Sequence, residues 1–133
     1  MEEKDIDLVE ALGASQAASP QILSLYIPSV SKSGESTFDQ NIWIQKAGEL
    51  LTLLGGGVTV NPPARGGWKS PSGEIIWEDI VILYSFIDSE SFIRNLPILR
   101  KFLHEMGRET NQGEVACQFD GMFYKITEYD EGK

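Results

Sequence analysis

From Glu74 to Phe86 the chain repeats with a period of two: Ile80, Ile82, Tyr84 and Phe86 fall on one side, Val81, Leu83 and Ser85 on the other. Successive side chains of a β-strand point to opposite faces, so this spacing predicts a strand rather than a helix. Both faces are largely apolar in its second half. Such a strand belongs in the interior of a sheet. The pairs Ile75–Trp77 and Ile76–Glu78 carry the same period back to the turn Ser70-Pro71-Ser72-Gly73, where proline presets the second position and glycine closes.

The rest of the chain supplies neighbours for it. Gln21–Ile27 is a nearly continuous apolar run ended by Pro28, which reads as a second central strand. After the polar loop Ser29–Ser36, the residues Trp43, Ala47, Leu50, Leu51 and Leu54 recur at helical spacing behind Asp39, the expected cap. Gly55-Gly56-Gly57 stops that helix. These glycines follow a helix rather than opening one, so they present no helix N-terminus to an anion and are not a phosphate loop. Val58–Asn61 is a short strand, broken by Pro62–Gly67, with pairing resumed at Trp68–Lys69.

Asp88 and Ser89 open a helical region whose apolar face is Phe92, Ile93, Leu96, Leu99, Phe102, Leu103 and Met106. Pro97 cannot sit deep inside a helix, so the region divides, with Asn95 capping a second helix and Pro97 in its first turn. Gly107 marks the weakening of that helix. Glu114–Phe119 is a strand, Asp120-Gly121 a hairpin turn that needs positive φ, and Met122–Ile126 the returning edge strand. The expected fold is α+β: a ferredoxin-like βαββαβ sandwich with an additional C-terminal edge strand. Numbered along the chain, the five expected strands take the order 5-4-1-3-2, with two helices on one face.

Residues 1–19 read as a flexible acidic N-terminal segment, residues 20–127 as a single α+β domain, and residues 128–133 as an acidic tail. Ile6, Val9 and Leu12 share one helical face within the first segment, which suits a stretch that docks on a partner. The formal charge is −9. Residues 1–10 carry five acids against Lys4 and residues 127–133 three against Lys133, so the termini hold −6 and the rest only −3. No basic stripe is present to meet a phosphate backbone, so nucleic acid is not an expected partner. Neither a signal-like N-terminus nor an apolar run long enough for a bilayer is seen, and the expected location is cytoplasmic, with no membrane partner.

The ordered set Leu25-Tyr26, Trp43, Leu51-Thr52, Gly57-Val58-Thr59-Val60, Gly67-Trp68, Gly73 and Glu78 resembles a family of small uncharacterised bacterial domains. The resemblance covers residues 22–86, and the segment from Gly107 to Glu114 departs from it. It implies a ferredoxin-like fold and carries no activity, cofactor or site residue.

Two polar clusters are candidates for a ligand site. In the first, Arg65, Trp68 and Lys69 lie across a hairpin from Glu78, so charge-assisted hydrogen bonds and stacking are at hand for an anionic or nucleotide-like molecule. Arg65 is the natural partner of Glu78. The alternative is a hairpin whose Trp68 packs on the sheet while the charges stay in water. In the second, Arg108, Glu109, Asn111 and Gln112 crowd the end of a helix, where loops on a rigid scaffold often form sites. Its alternative is a helix end capped by its own side chains, with Asn111 or Gly113 at positive φ.

Single residues say less. His104 falls off the apolar stripe and is expected to be exposed. Cys117, the one cysteine, alternates with Val115 and Phe119 and reads as a small core residue. One His and one Cys cannot make a zinc site of those ligands, and no metal or cofactor is expected. Glu105 and Glu109 stand one helical turn apart, which suits a divalent ion or equally a solvated helix face.

Ile75, Trp77, Val81 and Leu83 are expected together on the sheet face that the helices leave open, and an apolar open face points to a homodimer. The leading reading is therefore a non-enzymatic binding or regulatory module, homodimeric, that receives a small polar or anionic ligand or a protein partner. Two alternatives remain. One is a small hydrolase or isomerase with Glu78 or Glu109 as base and Arg108 as anion binder. The other is an inhibitor or antitoxin-like interaction protein.

Overall fold

A computed structural model describes residues 5–18 and 20–132. The parts of the acidic termini formed by residues 1–4, Ser19 and Lys133 lie outside the described residues. The elements along the chain are α1 (Leu8–Leu12), β1 (Gln21–Ile27), α2 (Gln40–Gly55), β2 (Thr59–Val60), β3 (Ala64–Lys69), β4 (Ile75–Ile87), α3 (Ser89–Arg94), α4 (Leu96–Glu109), β5 (Val115–Phe119) and β6 (Met122–Ile126).

The helices begin where the sequence offers caps. Asp39 accepts from the Asn41 N–H at 3.0 Å, and Asp88 accepts from the Ser91 N–H at 2.8 Å. Each satisfies a backbone donor that the first helical turn leaves unpaired. Asn95 stands between α3 and α4 with proline in the first turn of α4, but its side chain does not cap α4 as expected: its amide donates back to the Ser91 carbonyl of α3 at 2.8 Å.

The sheet runs β2-β4-β1-β5-β6 and is antiparallel throughout, with β1 paired to β4 from Gln21↔Ile87 to Ile27↔Val81. Read from its other edge, this is the order expected from the sequence, and the fold is ferredoxin-like α+β. The difference is a sixth strand. β3 starts at Ala64 and pairs with the first half of β4, from Ala64↔Ile80 to Lys69↔Ile75. Pro62-Pro63 does interrupt the chain, but Gly66-Gly67 does not. A Cβ on Gly66 would overlap the Ile80 side chain, and one on Gly67 would come within 2.8 Å of the Trp77 ring. The glycines allow β3 to lie against two large neighbours. The result is a two-stranded arm continuing from the sheet.

Leu23, Leu25 and Ile27 lie opposite Ser85, Leu83 and Val81 in register, and the helices cover this side. Trp43, Ala47 and Leu51 of α2 and Leu99, Leu103 and Met106 of α4 complete the core. Trp43 meets Phe102 edge-on at 6.2 Å, and Phe92 stacks on Phe119 at 3.6 Å. Cys117 is buried among them, and burial pushes its thiol pKa up.

The expected open face needs correction. Val81 and Leu83 are 4% and 0% exposed and belong to the helix-covered core. Ile75 and Trp77 share their parity, but they lie on the arm and are 58% and 54% exposed. The side bearing β1's three aliphatic residues is the side the helices cover. The uncovered face therefore carries Ile22, Ser24 and Tyr26 of β1 with Ile80, Ile82, Tyr84 and Phe86 of β4.

His104 and Gly107 also differ from expectation, for one reason. After β6 the chain turns back along α4. The Asp130 N–H donates to His104 Nδ1 at 2.8 Å, and His104 is 8% exposed. Tyr129 lies on Gly107 so closely that a Cβ there would fall within its ring, and α4 runs on to Glu109. Gly107 is a contact surface, not a helix breaker.

Candidate functional site

On the uncovered face, the arm and the loop from Gln112 to Glu114 stand apart, with Tyr26 and Ile80 between them and β6 alongside. The space they enclose is a cleft of about 990 Å³, a size that accommodates metabolite-sized ligands. Its walls are mixed in character. Tyr26, Trp68 and Phe123 are aromatic, Lys32, Lys69 and Lys125 basic, and Glu78 and Glu114 acidic.

Glu78 is the most constrained of these groups. Its Oε1 accepts from the backbone N–H of Ser29 at 2.9 Å and of Val30 at 3.4 Å, and its Oε2 accepts from Trp68 Nε1 at 3.0 Å. The strand alternation makes this arrangement. Gly66↔Glu78 and Trp68↔Ile76 are paired positions, so Trp68 and Glu78 share one face of the arm as diagonal neighbours, with Gly66 directly opposite Glu78. A side chain at Gly66 would run into Ile80 on the same face. Ser29 closes the junction with β4 from the other side, its hydroxyl accepting from the Asp79 N–H at 3.0 Å.

Arg65 is not the partner of Glu78. It lies opposite Asp79, on the other face of the arm, with its guanidinium 5.2 Å from the centre of the Trp77 ring. The negative charge of Glu78 is met by N–H donors instead. Across the cleft, Tyr26 donates to Gln118 Oε1 at 3.3 Å and meets Phe123 edge-on at 6.0 Å. Lys125 pairs with Glu114 at 3.4 Å. Among the described residues, Lys32 and Lys69 take part in no ion pair, so the rim retains positive charge.

Of the expected site residues, Trp68, Lys69, Glu78 and Gln112 line this one cleft. Arg65, Arg108, Glu109 and Asn111 do not. Arg108 and Glu109 belong to α4, on the opposite side of the sheet, and Arg108 Nη1 donates to the Asp130 carbonyl at 2.7 Å. Asn111 takes a positive φ of 52° at the turn and accepts from the Lys32 N–H through its carbonyl at 2.9 Å. Gln112 is buried, and its amide donates to the carbonyls of Val30 at 2.8 Å and Thr110 at 3.2 Å. Tyr26, Phe123 and Lys32 also line the cleft, and no motif in the sequence singles them out for it. Parity within β1 marks Tyr26 as facing away from Leu25, but the meeting of three separate segments leaves no local signal.

Charge elsewhere is arranged around the C-terminal segment. Arg100 holds the Asp130 carboxylate through Nε at 2.7 Å and Nη2 at 2.8 Å, which lowers the Asp130 pKa and raises that of Arg100. Burial, then the Glu114 charge, raises the Tyr129 pKa. Among the described residues no group of three or more His, Cys, Asp or Glu side chains is placed to hold a metal ion, and Glu105 pairs with Lys46 at 3.6 Å. No described helix is long and apolar enough to cross a membrane.

No protein-family model matches the chain, and no curated protein does. Solved structures do. A phage SAM lyase in complex with S-methyl-5'-thioadenosine superposes with a TM-score of 0.56 at 17% identity, over 84% of this chain and 92% of that one. A phage SAM lyase in its apo state gives 0.57 at 16% identity, over 85% and 93%. At such identity the likeness is one of fold.

Proposed function

We propose that this protein is a small-ligand-binding module whose ligand lies in the cleft between the arm, Tyr26 and β6. We take the ligand to be a nucleoside-type molecule of the class of S-methyl-5'-thioadenosine. The observation that carries this reading is Glu78, fixed by three N–H donors beside Trp68 in a cleft walled by aromatic rings. A carboxylate offers about four acceptor positions. Three are used here, and the remaining one on Oε2 suits a ligand hydroxyl. The aromatic walls suit a flat base, for which stacking contributes on the order of 1–3 kcal/mol. The fold likeness to a protein solved with S-methyl-5'-thioadenosine supports the same ligand class. Lys32 and Lys69 at the rim favour a ligand that also bears a carboxylate or phosphate.

Titration with S-methyl-5'-thioadenosine tests the reading by calorimetry and by melting temperature. A bound ligand raises stability by about 2.7 kcal/mol at a concentration of one hundred dissociation constants. Saturable binding that Trp68→Ala abolishes supports the assignment; no heat and no melting shift at millimolar ligand removes it.

A second reading concerns self-association. Ile22 and Phe86 on the uncovered face are 44% and 55% exposed, which favours a homodimer through that face. Sedimentation equilibrium decides it: a single species of monomer mass at high micromolar concentration would sink the dimer.

A further inference from the structure

A series of hydrogen bonds, joined through the residues Val30 and Gln112 themselves, links Glu78 to the C-terminal segment. Glu78 holds the Val30 N–H, and the Val30 carbonyl accepts from Gln112 Nε2 at 2.8 Å. The Gln112 carbonyl in turn accepts from the Tyr129 hydroxyl at 2.9 Å. The links beyond Glu78 are part-buried, and at their centre Gln112 is only 9% exposed and shares its amide with the Thr110 carbonyl.

The far end of this chain is itself held. Gly107 receives the Tyr129 ring, the His104 ring meets it edge-on at 6.1 Å, and Arg100 and His104 clamp the next residue, Asp130. Thr127, two residues earlier, lines the cleft directly. A tail that served only solubility would need none of these contacts.

We infer that Tyr129 is a positioning residue for the cleft. Its hydroxyl fixes the Gln112 backbone, Gln112 fixes the Val30 carbonyl, and the backbone N–H groups of Ser29 and Val30 are thereby held toward Glu78 in one orientation. The inference rests on the cleft being the ligand site, but its first test needs no ligand.

Tyr129→Phe deletes the hydroxyl and keeps the ring on Gly107. In ¹H–¹⁵N spectra of the free protein, this variant moves the Trp68 indole signal and the Ser29 and Val30 amides together with the Gln112 side chain. Ser91→Ala, which removes a comparable bond to the Leu54 carbonyl at 2.8 Å, leaves the Trp68 signal in place. With S-methyl-5'-thioadenosine as the probe, Tyr129→Phe weakens binding about fivefold, the scale of one hydrogen bond, while its melting temperature tracks Ser91→Ala. Gln112→Ala moves the same Trp68, Ser29 and Val30 signals, and adding Tyr129→Phe to it moves them no further, as coupled residues require. Shifts that stop at Thr110 and Gln112, with the Trp68 indole unmoved, overturn the inference. If the unmodified protein ignores the probe, the ligand assignment fails alone, and the spectra of the free protein still decide the role of Tyr129.

Discussion

The arm around Trp68 and the end of α4 around Arg108 are equally polar in sequence, yet the fold uses them differently. At the arm, strand alternation sends Trp68 and Glu78 into an open cleft and leaves Arg65 outside it. At the end of α4, Arg108 turns away from the sheet to the Asp130 carbonyl, while Gln112 turns inward and ties two loops together. Hydrogen-bonding capacity is similar in the two regions. What separates them is whether the chain itself returns to cover the region. Residues 128–132 do so at α4, whereas among the described residues nothing fills the space beside Glu78.

Several substitutions break or sharpen this contrast. The largest effect on stability is expected from Gly107→Ala, because a methyl group there enters the space of the Tyr129 ring. A loss of about 3 kcal/mol, read from urea denaturation, matches the overpacking of a close contact. A loss below about 0.5 kcal/mol would show that the segment simply moves aside. Glu78→Gln comes next. It replaces one acceptor by an amide N–H facing donors, so about 2 kcal/mol of stability and the ligand response should both fall. Retained binding in Glu78→Gln would separate the arm's architecture from its proposed chemistry.

A smaller effect is visible in acid. Arg100 lowers the Asp130 pKa, so the favourable contribution is complete above the ordinary carboxylate value near 3.9 and disappears as pH falls through the lowered value. Stability followed below pH 4 should fall less steeply in Arg100→Gln than in the unmodified protein; identical slopes would assign the acid limb to other carboxylates. The smallest change is expected from Arg108→Ala. Its bond to the Asp130 carbonyl is exposed, so stability should shift by no more than about 0.5 kcal/mol. Ligand affinity should not move at all, and a tenfold loss would draw the two regions back into one site.

Much of the fold was legible because local rules agreed with the global arrangement. The parity of Ile80 to Phe86, the Asp39 and Asp88 caps, Pro97 at the start of α4 and the Asp120-Gly121 turn each depend on neighbours in sequence. The errors have a different origin. Which side of β4 faces helix, why Gly66-Gly67 continues a strand, and why His104 is buried all depend on contacts between distant segments. The site was half legible for the same reason. Trp68 and Glu78 meet through strand pairing and Gln112 stands in a dense polar run, but Tyr26, Lys32 and Phe123 reach the cleft only after the sheet and its loops have assembled.

The placement of the three tryptophans has a practical consequence. Trp43 is 5% exposed in the core, Trp68 is half-buried beside Glu78, and Trp77 is 54% exposed under Arg65. One chain thus contains three native fluorophores at three depths. Iodide should quench Trp77 first and leave Trp43 emitting until the chain unfolds. Trp68 falls between them, and its accessibility to quencher should drop when the cleft is occupied, so ligand entry and core melting can be followed in one cuvette without a label.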